Sequence, residues 1–239
     1  MACFHRMSKS LAAARASRGK ARRPTVAVTK PKGQWHHGDL RSSLIAWSTH
    51  ILDTEGTSAM SMRAAAKLAG VSQGAPAHHF VDRNGLLAAI AAQGFRDMVK
   101  LRRDRLEHTD PNDRRARLRA VMLGYVEFAM QYPARFHLMF GPDIERRDKY
   151  PELVAASQES IALLTSVMTP FVKNKSAAAV TELTLAFAVW AATHGLATLA
   201  VNHSRGMPLC PDRTPDQMSE IMVQFCLAAL ESGTVQASR

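Results

Sequence analysis

Residues 61–80 read SMRAAAKLAGVSQGAPAHHF, and this stretch decides the fold. Ser61 is an N-cap residue type, and Met62, Ala65, Ala66 and Ala69 follow at i, i+3, i+4 and i+7, one stripe of an α-helix. Gly70 ends that helix after about two turns. Ser72 is then placed to cap a second short helix running to about His79. Two short helices joined by a glycine-containing turn make a helix-turn-helix. The first must be small on its inner face so that the second can cross it closely. Ala64, Ala65, Ala66 and Ala69 meet that need, with Val71 plugging the junction. Pro76 lies at about the fourth or fifth position of the second helix, which predicts a distortion there.

Helical periodicity continues on both sides. Leu40, Leu44, Trp47 and Ile51 mark a helix over 39–53, with Gly38 and Asp39 at its start and Gly56 at its end. Asp82 is an N-cap for a helix carrying Leu87, Ile90, Gly94, Met98 and Leu101 and running to about His108. The run Asp110-Pro111-Asn112-Asp113 is a turn. Further helices follow at Leu118–Phe128, Phe136–Phe140, Leu153–Val167, Val180–Ala200 and Met218–Ala229. No alternating β-branched run bounded by turns occurs, so the fold class is all-α.

The pattern over His37–Ala92 resembles the DNA-binding domain of the TetR family of bacterial transcriptional regulators. Arg63, Ala66, Ala69, Gly70, Val71, Ser72, Gly74, His79, Phe80, Arg83 and Leu86 carry the resemblance. Ala77 departs from it, standing where the family usually has an aromatic residue that commonly contacts DNA. The resemblance implies an N-terminal three-helix DNA-binding domain at 37–90 and a C-terminal helical domain for effector binding and dimerisation at 91–239. It also implies a cytoplasmic homodimer on a near-palindromic DNA operator, and a repressor released by a small-molecule effector.

The chemistry of the motif agrees with that assignment. Phosphate contacts position a protein on DNA, and base-edge contacts specify sequence. Gln73 can pair with adenine in the major groove. Ser72 and the backbone at Gly74 and Ala75 open the second helix, where an anion is favoured. Arg83 is placed by the pattern to hold a phosphate, and Arg63 is a further DNA-binding candidate. His78 is read as a DNA contact, whereas His79 is weighed between DNA contact and packing on Phe80.

The chain has 239 residues and a formal charge of +11, but the charge is uneven. Residues 1–38 hold nine Lys/Arg and no acid, and the remainder holds 22 bases against 20 acids, a net of +2. Residues 37–90 hold four bases and four acids. Residues 1–36 therefore read as a disordered basic tail, although the absence of acids also fits an organellar presequence. The tail suits nonspecific affinity for an anionic partner, and specificity has to come from the neutral helix-turn-helix.

Cys3, Cys210 and Cys226 have no CxxC spacing, and no disulfide is expected. The apolar stretch Ala177–Val201 contains Glu182 and His194 and reads as a buried helix rather than a membrane span. No HExxH, GxSxG or P-loop occurs, so neither an enzyme nor a cofactor is expected. His36-His37 lacks further ligands at metal spacing, and no metal site is expected.

Phe136–Pro142 and Trp190–Ala197 resemble a TetR subgroup named for a Trp-His-Gly motif, here Trp190, His194 and Gly195. In that family the C-terminal domain binds an effector and pairs through its last two helices. The candidate pocket lining is Tyr125, Phe128, Phe136, His137, Met139, Phe140, Phe187, Trp190 and His194. Ala188, Ala191, Ala192 and Gly195 permit close helix approach.

Overall fold

A computed structural model describes residues 40–172, 181–204 and 212–232. The expected basic tail, the His36-His37 pair, Cys3, Cys210 and the start of the first helix lie outside the described residues. Eight α-helices are present among the described residues, and no strand. They are α1 (Leu40–Glu55), α2 (Met62–Ala69), α3 (Arg83–Glu107), α4 (Arg114–Gln131), α5 (Pro133–Phe140), α6 (Pro151–Ser166), α7 (Glu182–Ser204) and α8 (Pro215–Ser232). All the described residues belong to one compact unit.

Local chemistry accounts for the element ends. The Ser61 hydroxyl accepts from the Ala64 amide at 3.1 Å, and the Asp82 carboxylate accepts from Gly85 at 2.8 Å. Asp113 accepts from Arg115 and Ala116 at the head of α4. Each such cap contributes about 1 kcal/mol. Gly70 adopts φ 69°, ψ 29° at the end of α2, where a side chain would be strained. Gly56, at φ 83°, ψ 177°, turns the chain from α1 toward α2 in a region essentially reserved for glycine.

The long helix α3 is the axis of the fold. It packs against α1, α4, α5 and α6, and it runs unbroken through residue 90. One buried cluster extends from Leu44 and Ile51 of α1, through Leu86, Ile90 and Met98 of α3, to Phe136 of α5 and Val201 of α7. A second cluster joins the far ends of α3 and α4 to α7 and α8 through Leu118, Val189 and Leu227. Two glycines permit the close crossings of α3. A Cβ on Gly94 would lie 2.7 Å from Met139 Sδ, and one on Gly124 would lie 3.1 Å from Arg102 Cγ.

Two expectations are corrected here. The buried stripe of α1 is Leu44, Ile45, Ser48, Ile51 and Leu52, so the helix is turned from the expected face and Trp47 is only half-buried. Helix α7 is long and apolar enough to cross a bilayer, but 44% of that span is buried inside the protein. Leu185, Val189, Leu196 and Ala200 face inward, while Phe187, Ala188, Ala191 and Gly195 are exposed. It is therefore half-covered rather than buried all round.

Candidate functional sites

The segment after α2 is not the α-helix expected from Ser72 to His79. It is a turn leading into a four-residue 3-10 helix, Ala75–His78. Pro76 is the cause. An α-helix capped at Ser72 would need the residue-76 amide to donate to the Ser72 carbonyl, and proline has no N–H. The Ser72 carbonyl instead accepts from Ala75 at 3.0 Å, and Ala77 donates to Gly74 at 3.1 Å. Ser72 makes no side-chain cap, because Gly74 takes the cap position.

Buried Pro76 and Phe80 anchor this turn to the core, so its other residues face outward. Arg63, Ser72, Gln73, Gly74, His78 and His79 are exposed and Ala75 is half-buried. The His79 ring lies 6.4 Å from that of Phe80 but remains exposed. Arg83 has a structural task that its place in the pattern did not reveal. Its Nε donates to the Met60 carbonyl and its Nη2 to the Thr57 carbonyl, both at 3.0 Å, which ties the head of α3 to the loop before α2. The guanidinium is exposed, with further N–H groups facing solvent.

A cavity of about 980 Å³ lies between α6 and α7, with α5 and α3 behind it. Of the expected lining residues, Met139, Phe140, Phe187 and Trp190 form its wall. Tyr125, Phe136 and His194 stand one layer behind, in an aromatic cluster with Phe140 and Trp190. There Trp190 Nε1 donates to the Tyr125 hydroxyl at 3.2 Å, and that hydroxyl lies 2.8 Å from His194 Nδ1. Helix α7 continues unbroken through His194 and Gly195.

Two expected lining residues are misplaced. Phe128 is buried under Tyr132 and the Arg135 guanidinium, on another side of α4. His137 is exposed, because the inward side of the two-turn helix α5 is already taken by Phe136 and Met139. Sequence reading also missed α6, which contributes Ser157, Ser160, Ile161 and Thr165 to the wall. Small polar and aliphatic residues at helical spacing give no pocket signal.

Three arginines were missed as well. Arg135 of α5 forks onto Asp53 of α1, with Nε and Nη2 at 3.0 and 2.8 Å from the two carboxylate oxygens. Its Nη1 reaches Asp97 of α3 at 3.0 Å, and its guanidinium stacks 3.7 Å above the Tyr132 ring. Arg102 of α3 is 2% exposed and donates to the Val121 carbonyl, the Ser160 carbonyl and the Ser160 hydroxyl. Burial lowers its pKa to about 10, which leaves it charged at neutral pH. Arg147 lies in the cavity wall. Among the described residues, no group of three or more His, Cys, Asp or Glu gathers as a metal site.

Comparison with known proteins agrees with this geometry. Residues 118–224 match the family described as tetracyclin repressor-like, C-terminal domain. That match bears on the family at large, not on the Trp-His-Gly subgroup. The HTH-type transcriptional regulator BetI of Ectopseudomonas mendocina is 40% identical over 87 residues, which cover 35% of this chain and 43% of that protein. The chain thus spans less than half the length of that curated relative. A Rhodococcus protein of unknown function superposes with a TM-score of 0.63 at 26% identity, over 87% of this chain and all of that one. The TetR family transcriptional regulator PfmR of Thermus thermophilus superposes with a TM-score of 0.51 at 16% identity, over 79% and 97% of the two chains, which speaks to fold alone. The capped α2, its left-handed Gly70, the C-terminal match and the shared all-helical architecture agree: in its helix-turn-helix region, in residues 118–224 and in fold, the chain is similar to regulators of the TetR type.

Proposed function

We propose that this protein is a sequence-specific DNA-binding transcriptional regulator that acts as a homodimeric repressor and is released from a near-palindromic operator by a small molecule. The observation that carries the reading is the exposed turn Gln73–His79. It is held rigidly by buried Pro76 and Phe80 behind a capped helix α2. Its surface is polar, with Gln73, His78 and His79 available for base edges and Arg63 and Arg83 for phosphates. The relatives' names, regulators rather than enzymes, favour the same class.

Helices α7 and α8 favour pairing of two copies. Phe187 and Phe225 are 60% and 68% exposed, and Ala188, Ala191 and Gly195 form a small-residue stripe between turns of exposed α7. A two-fold dimer would present two recognition turns to two half-sites, and its geometry sets their spacing.

Helix α5 supports effector control. Its Arg135 grips Asp53 of α1, while Met139, one turn on, lies in the cavity wall. A ligand that shifts α5 would therefore bias the position of the DNA-binding helices, and differential affinity of about 1–3 kcal/mol between two conformers suffices for regulation.

The test is selection of bound sequences from random DNA by the full chain, followed by footprinting. A two-fold symmetric site is expected. Binding without any sequence preference would overturn the proposal.

A further inference from the structure

The structure assigns the α6–α7 cavity to an amphipathic monoanion, whose apolar body lies against Phe140, Phe187 and Trp190 and whose carboxylate is held by Arg147. The assignment deepens the effector reading above and rests on it for biological meaning, but the binding itself can be tested alone.

The cavity combines apolar walls with one guanidinium, that of Arg147, for which no ion pair is formed among the described residues. Arg146 adopts the left-handed region, φ 47°, ψ 54°, and is the one non-glycine residue to do so among those described. Its side chain pairs with Asp148. The neighbouring Arg147 lines the wall. Arg147 Nη2 donates to the Met139 carbonyl at the C-terminal end of α5. Its Nη1 is closed to solvent and has no acceptor. A guanidinium set in an apolar wall without a carboxylate partner is matched by a carboxylate, which its N–H groups can hold.

A second guanidinium adds to the field. Arg102 is buried and bonds only to neutral oxygens, among them the Ser160 hydroxyl, itself part of the cavity wall. Accepting from a cation leaves that hydroxyl free to donate its own proton into the cavity. The two arginines disfavour a cationic ligand. Glu182, the one acid among the described wall residues, disfavours a second negative end.

The experiment is calorimetric titration of the full chain at pH 7.5 with sodium decanoate and sodium 2-naphthoate, and with 1-decanol and decylamine, all below self-association. At least one carboxylate should bind at one per chain and more tightly than the alcohol by about tenfold or more, the worth of a charged hydrogen bond. Arg147→Gln should abolish that difference, and an unchanged circular dichroism spectrum and melting midpoint report that the variant is folded. Ser160→Ala should reduce it. Equal binding of alcohol and carboxylate, tighter binding of the amine, no binding of either carboxylate, or an unaltered preference in Arg147→Gln overturns the assignment. A carboxylate that binds but does not release selected operator DNA would refute the effector role and leave the ligand class standing.

Discussion

The Tyr125 hydroxyl sits 2.8 Å from Nδ1 of His194, and both rings belong to the layer behind the cavity wall. Trp190 Nε1 can only donate, so it donates to the Tyr125 hydroxyl, and that hydroxyl's own proton is placed to go to Nδ1. His194 is then neutral, with its proton on Nε2. Burial raises the Tyr125 pKa above its ordinary value and lowers that of His194. The hydroxyl therefore stays protonated and the imidazole stays an acceptor across the neutral range.

A pH dependence follows from that pair. A histidine whose folded pKa is depressed contributes stability fully present above the unfolded value of about 6.5, and loses it as pH falls through the folded pKa. Thermal unfolding between pH 7.5 and 5.5 should show the midpoint dropping, and His194→Gln should flatten the drop. Tyr125→Phe should cost about 1 kcal/mol at pH 7.5, through loss of two hydrogen bonds on a buried ring. A wild-type slope unchanged in His194→Gln would place the titrating group elsewhere.

The fork between Arg135 and Asp53 makes a second prediction. Truncating one partner of a mostly buried pair leaves the other charge uncompensated, and Arg135 sits between two carboxylates and two rings. Arg135→Ala should destabilise the fold by about 3 kcal/mol in denaturant titration. Arg135→Lys keeps the charge but not the planar fork, and should recover less than half of that loss. If α5 transmits ligand binding to α1, Arg135→Lys should also weaken the effect of ligand on DNA affinity while ligand affinity stays the same. Full coupling in the lysine variant would mean that another contact carries the signal.

These two relationships also mark what can be read from the chain alone. Ser61, Asp82 and Gly70 were legible because capping is local: residue type and three or four neighbours decide it, whereas Asp113 was read only as part of a turn. Pro76 announced a distortion for the same reason, though not that Ser72 would lose its capping role to Gly74. Arg135, Arg102 and Arg147 were silent because their partners are set by helix packing. Arg135 lies 82 positions from Asp53, and Arg102 lies 58 from Ser160. The aromatic residues of the cavity were visible as types, but which of them reach its surface was not. Tyr125 and Phe136 fall behind Phe140 because of the way α5 docks on α4, and no spacing encodes that.

At the recognition turn, Gln73 is exposed and carries the strongest base-reading chemistry of the segment. Gln73→Ala should lower discrimination between the selected operator and random DNA by about 1–3 kcal/mol, the worth of a bidentate contact to adenine. The salt dependence of binding should not change, because no phosphate contact is lost. Competition binding at two salt concentrations separates these outcomes. Equal losses on both DNAs would show that Gln73 contributes affinity and not sequence readout.

The exposed face of α7 and α8 offers a different measurement. Phe225 is 68% exposed, two turns before the end of α8, with Ile221 45% exposed one turn earlier. Burying such a face against a second copy is favourable, and introducing a charge at its centre is costly. Sedimentation should find the wild type dimeric and Phe225→Glu shifted to monomer, with helical content unchanged. A variant that stays dimeric would move the interface off α8.

Gly94 tests whether the close crossing of α3 and α5 shapes the cavity. An added Cβ would lie 2.7 Å from Met139 Sδ, a distance that real side chains do not tolerate, so the Met139 side chain has to shift, and the cavity it lines is the space open to it. Alanine in a helix interior gains about 1 kcal/mol over glycine, whereas overpacking a core costs about 1–3 kcal/mol. Gly94→Ala should therefore be neutral to destabilising by about 2 kcal/mol, with Met139 pushed toward the cavity and ligand affinity reduced. Shortening the residue that is struck should relieve the clash, so Gly94→Ala with Met139→Ala should cost less than the sum of the two single changes. A double-mutant cycle in denaturant reads this coupling directly. Additive losses would mean that Met139 repacks without touching α3, and that cavity volume is set by α6 and α7 alone.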